Sequence, residues 1–158
     1  MKDISISGFD NSSQIIDKLI RDFNILNNAI INQESTEIND AFVNFYTYAY
    51  HIKDWLKKEG YNSVEGYINE HLELSVCADL CNSTKHKKLN RTPRLNDSLY
   101  EIYKSGIRCD STAYAADSTV PINATTYYIK LKSGKEFEIL YFVKKILELW
   151  KSYINETN

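Results

Sequence analysis

The sequence predicts a mostly α protein: an antiparallel helical bundle with a small β-hairpin set before its last helix. Three observations carry this reading. Apolar residues recur at helical spacing over long stretches at both ends of the chain. The segments between the first helical stretches are short and contain capping residues, which favours neighbours packed in opposite directions. One segment, about 124–138, alternates in the manner of a strand and turns at Ser133-Gly134.

Residues 1–10 form a short lead-in, with Ile4 and Ile6 alternating as in a brief edge strand. Asn11 to Ser13 offer N-cap side chains to a helix over about 12–32, whose apolar face holds Ile15, Ile16, Leu19, Ile20, Phe23, Leu26 and Ile30. Ser35 or Thr36 is placed to cap a second helix that runs to about Lys58 and stops at Gly60. A short third helix covers about 63–71, and a fourth about 72–86, with Val76, Cys77, Leu80 and Cys81 on its apolar side. Pro93 then disfavours helix in a basic, turn-like stretch. Within 95–123 the pattern is irregular; Leu99 to Tyr103 fits either a strand or a helical turn. A last helix spans about 138–154. No repeat or linker divides the chain, so 1–158 reads as one domain.

The composition is globular, with 43% hydrophobic and 25% charged residues, which excludes a disordered chain. Twelve tyrosines point to a core whose hydroxyls find partners, or to an aromatic interface. The formal net charge of −2 gives no overall field for nucleic acid, so any such contact must be local. The dense positive cluster is Lys85, Lys87, Lys88, Arg91 and Arg94. Three cysteines make no disulfide framework, and no stretch is long and apolar enough to span a membrane. Together with the lack of an apolar signal core at the start, this predicts a cytoplasmic protein without a membrane contact.

On the fourth helix Ser75, Asp79, Asn82 and His86 are spaced to share one polar stripe. Asn44, Thr47, His51 and Asp54 make a second stripe on the second helix. Facing each other, the stripes would gather two imidazoles, two carboxylates and an amide beside Lys85. A histidine held by a carboxylate can serve as general acid or base, and the same groups can hold a ligand. The plainer alternative is that each stripe is a solvated helix face and the lysines complement a helix C-terminus.

The run Asn82-Ser83-Thr84-Lys85-His86 resembles the second half of the Arg-Asn-x-x-x-His motif of HEPN-domain proteins. The wider pattern, His51-Ile52-Lys53-Asp54-Trp55 followed by Asp79 through His86, is similar to a group of small bacterial proteins that also carry the hairpin and a Trp-containing last helix. The resemblance implies a HEPN-like helical bundle, often homodimeric, of a bacterial defence or toxin–antitoxin type. It also implies metal-independent action on RNA through the motif's Arg and His. Cys81 stands where that Arg belongs, and a thiol supplies no permanent positive charge to a phosphate.

Cys77 and Cys81, four apart, are too loosely spaced for a usual zinc knuckle and read as core residues. No nucleophile elbow or glycine-rich phosphate loop is present in the sequence. The expectation is therefore an RNA-associated protein that cleaves weakly or not at all, without metal or cofactor. Its catalytic candidates are His86, Asn82, His51, Asp54 and Asp79, and its nucleic-acid candidates are the five basic residues from Lys85 to Arg94. The alternative is a catalytically inert dimeric module that binds a protein partner or small ligand in the His51/His86 groove.

Overall fold

A computed structural model describes residues 8–85, 94, 99–106 and 125–157. Among them are five helices and a small three-stranded antiparallel sheet. The helices are α1 (Ser12–Asn32), α2 (Ser35–Lys58), α3 (Val64–Glu70), α4 (Leu72–Lys85) and α5 (Ile139–Thr157). The strands are β1 (Leu99–Gly106), β2 (Thr125–Leu131) and β3 (Glu136–Glu138), in sheet order β1-β2-β3. Ile4 and Ile6 of the expected edge strand lie outside the described residues.

Local chemistry explains the helix ends. Asn11 caps α1 by accepting from the backbone N–H of Gln14 at 3.0 Å. The carboxylate of Glu59, just past the end of α2, accepts from both the N–H and the hydroxyl of Ser12, each at 2.6 Å. The start of α1 is thus tied to the end of α2. At the other end of α1, Gln33 adopts φ 58, and the N–H groups of Gln33 and Glu34 return to Ile30 and Ala29. The end of α2 repeats that motif with Gly60 at φ 97, where Gly60 and Tyr61 donate back to Lys57 and Leu56. The expected cap at Ser35 or Thr36 is corrected: Glu34 occupies the N-cap without a side-chain bond, and Ser35 is already helical. The tight turn after α1 leaves too little chain for a separate capping residue beyond Glu34.

The sheet is larger than the expected hairpin. β2 and β3 form the hairpin, with Ile129 opposite Phe137, and β1 adds a third strand with Ile102 opposite Ile129. Leu99 to Tyr103 therefore belongs to a strand, which continues to Gly106. Tyr127, Ile129 and Leu131 point into the core, and Tyr128 stacks on Tyr103 on the other face, with centroids 5.5 Å apart. This is the period of a sheet with one buried face.

Trp150, Phe42, Phe45, Tyr46 and Phe142 are the bulkiest fully buried side chains. The indole N–H of Trp150 donates to the carbonyl of Ala49 at 2.8 Å. Tyrosine hydroxyls find partners at the edges of the core: Tyr67 donates to the Leu149 carbonyl at 2.8 Å, and Tyr153 lies 2.9 Å from the Ser63 hydroxyl. Tyr67 and Tyr153 thus serve the core margin, while Tyr141 is exposed. α4 packs against α2, α3 and α5, and residues 74–81 are all buried. That central position decides what its polar residues can do.

Candidate functional site

α2 and α4 pack together, so the two polar stripes belong to contacting helices. Their side chains divide into three groups. Ser75 and Asp79 are buried. The Ser75 hydroxyl donates to the Ile68 carbonyl at 2.8 Å, and Asp79 Oδ1 accepts the backbone N–H of Arg94 at 2.8 Å. Asn82, Thr47 and His51 are half-buried. Asn44 and Asp54 are exposed. The solvated-face reading is therefore corrected at Ser75 and Asp79: a helix enclosed on three sides buries its polar positions, and each of these two holds a backbone group.

Cys77 and Cys81 are free thiols, each 1% exposed, as expected of core residues. Burial pushes the Cys77 thiol well above its ordinary range, and the neighbouring Cys81 adds to the effect. The Cys77 thiol donates to the Tyr46 carbonyl at 3.3 Å. Cys81 Sγ lies 3.9 Å from His51 Nε2, which places the imidazole of α2 against the α4 position where the resembling motif has Arg. One turn further along α4, the Thr84 hydroxyl meets the Tyr46 hydroxyl at 2.5 Å. Burial raises the Tyr46 pKa, partly countered by that bond.

His86, Lys87, Lys88 and Arg91 lie outside the described residues, as does the side chain of Lys85. Arg94 is described, and its guanidinium is turned toward α3. Nη2 donates to Glu65 Oε2 at 2.5 Å, and Nη1 donates to Asn69 Oδ1. With its backbone on Asp79, Arg94 joins α3 to α4.

Sequence reasoning missed the group around Glu65. Lys53 and Lys57 of α2 reach Glu65 Oε1 at 3.1 and 2.5 Å, opposite the Arg94 contact on the second oxygen. Lys53 also donates to the Tyr50 hydroxyl at 2.7 Å. Burial works against ionisation of Glu65, but hydrogen bonds from Lys57, Arg94 and Lys53 overcome it and pull the carboxyl down to about 2. Burial likewise opposes the charge of Lys53, and its bonds to Tyr50 and Glu65 more than restore it. Tyr50, Lys53 and Lys57 are spaced three and four apart, so their shared face was readable; the carboxylate that collects them was not.

His71 stands elsewhere, in an open cleft with Glu70, Glu148 and Ser152, and its Nδ1 lies 2.8 Å from the Tyr67 carbonyl. No helix among the described residues is long and apolar enough to cross a membrane. Against known proteins, no family model matches the chain, no curated protein matches its sequence and no solved structure matches its fold.

Proposed function

We propose that the chain is a HEPN-like helical module of a bacterial defence or toxin–antitoxin type that associates with RNA and cleaves it weakly or not at all. The observation that carries the non-cleaving half is the buried Cys81 against His51: the position of the motif's cation holds an enclosed thiol. A neutral group there gives no stabilisation to a phosphorane. What supports RNA association is the run of basic residues that follows α4 directly in the sequence.

Filter binding of single-stranded RNA at low and moderate salt tests this reading. Retention at low salt should fall steeply as salt rises, and a Lys87→Glu, Lys88→Glu double variant should weaken binding to all sequences about equally. His86→Ala should leave binding intact and remove any residual cleavage. Loss of retention even at low salt overturns RNA association.

The second reading is an inert dimeric module with a protein partner or small ligand in the His51/His86 groove. It is favoured by Arg94, whose guanidinium is engaged by Glu65 and Asn69. Light scattering at micromolar concentration distinguishes its assembly: a dimer supports it, and a monomer removes a site shared by two chains.

A further inference from the structure

We infer that Lys53, Lys57 and Arg94 form an anion-binding site for phosphate groups, and that Glu65 occupies it as an internal stand-in for the ligand. Three cations converge on one carboxylate, at 3.1, 2.5 and 2.5 Å. Glu65 is the carboxylate that the three cationic side chains share. The carboxylate uses both oxygens, and a phosphate offers a further acceptor to the same donors. The Tyr50 hydroxyl, beside Lys53, adds a neutral polar group at the rim.

The site is open enough to exchange its occupant. Lys57 and Glu65 have 43% and 37% of their side chains exposed, against 14% for Lys53 and 20% for Arg94. The two most enclosed members are cations, and an enclosed cation calls for an anion. Both are held in place by other groups. Lys53 rests on the Tyr50 ring, 4.1 Å from its centroid, and Arg94 is anchored through Asn69 and through its own backbone on Asp79. Glu65 rises from the first turn of α3 and is itself 37% exposed. A phosphate that reached these donors would compete with the Glu65 carboxylate for them directly.

The ligand chemistry is a phosphate, free or in a nucleic-acid backbone. For the backbone source the inference rests on the RNA reading above; for a free phosphate it does not. Calorimetric titration with inorganic pyrophosphate at low salt tests the site itself. Glu65→Gln keeps the size of the side chain and removes the competing charge, and should bind pyrophosphate about tenfold more tightly than the wild type. Adding Lys57→Ala to that variant should return affinity to the wild-type level or below. A folded Glu65→Gln protein that binds no better than wild type overturns the proposal. Where Glu65→Gln does not fold, the wild type decides: millimolar pyrophosphate must raise its Tm, and Lys57→Ala, at an exposed position, must abolish the rise. Absence of either effect overturns it equally. A parallel titration with single-stranded RNA separates the sources. RNA binding that ignores Glu65→Gln and Lys57→Ala leaves the RNA reading standing and removes the nucleic-acid backbone as this site's ligand. Pyrophosphate binding without RNA binding leaves this site standing and removes the RNA reading.

Discussion

Cys81 Sγ lies 3.9 Å from His51 Nε2, with the thiol buried between helices and the imidazole half-buried beside it. The pair is one of the points where α2 and α4 touch. It also limits repair of the motif. An arginine placed at Cys81 would have to bury its guanidinium or push the helices apart. Cys81→Arg should therefore cost about 3 kcal/mol of stability, which lowers Tm by about 6–12 °C, and should confer no cleavage. Thermal unfolding followed by circular dichroism checks the first point and an RNA cleavage assay the second. A stable, active Cys81→Arg protein would show that the site tolerates the full motif.

Cys77 gives a chemical check on the same helix. Its thiol is wholly enclosed and its pKa stands well above the ordinary range, so little thiolate exists near neutrality. In the folded protein Cys77 should resist a thiol reagent at about pH 8, and it should react promptly in denaturant. Mass spectrometry of the labelled peptide reads the outcome. Rapid labelling of the native protein would mean that α4 opens away from α2.

Much of the framework was legible because periodicity and caps agree. α1 runs over Ser12–Asn32, where the apolar stripe and the capping run Asn11 to Ser13 placed it, and α2 ends on the Gly60 turn. α4 was legible as a helix and misleading as a surface. Its polar residues read as a stripe, but α2, α3 and α5 enclose it, so Ser75 and Asp79 serve backbone groups. Burial on several sides is a tertiary fact that no single helix pattern contains. β1 was ambiguous because Leu99, Tyr100, Ile102 and Tyr103 do not alternate as on a half-buried strand and fit a helical turn as well, so pairing with β2 sets the strand geometry. The Glu65 group joins residues 12 and 29 apart in sequence, which no local spacing reveals.

The turn after α1 offers a stability test. Gln33 holds φ 58, a left-handed conformation in which an ordinary side chain is strained and glycine is not. Gln33→Gly should stabilise the protein by about 0.5–1 kcal/mol; the exposed bond from Lys104 that it removes contributes little. The mirror experiment is Gly60→Ala. A Cβ there would meet no atom within 4 Å, so its expected loss of about 1 kcal/mol arises from φ 97 alone. Urea midpoints of the two variants should move in opposite directions, and parallel shifts would refute this account of the turns.

Trp150 tests the core. It is fully buried on α5, and its indole N–H reaches across to Ala49 of α2. Trp150→Phe removes that donor and leaves a small void, with an expected loss of about 2 kcal/mol, or a fall in Tm of about 4–8 °C. A neutral result by calorimetry would show that the surrounding side chains collapse to fill the gap.

Glu65 gives the pH dependence. Its carboxyl is held at about 2 in the folded protein, below the 4.5 of a free glutamate side chain. The unfolded chain therefore takes up the proton first as pH falls. The resulting stability is fully present above about pH 4.5 and is lost as pH drops toward about 2. More than a third of the side chain is exposed, and solvent screening reduces the contribution to about 1 kcal/mol. Wild type should thus exceed Glu65→Gln in stability by about that amount near neutrality. The gap should narrow steadily between about pH 5 and pH 3, while the other carboxylates titrate alike in both proteins and cancel. High salt should shrink the gap at neutral pH as well, because Lys57 and Glu65 face solvent. Urea denaturation of the pair across that range checks both statements. A difference that stays constant with pH would mean that Glu65 supports the α2–α3 junction by packing, and that its three cations hold it without setting its charge.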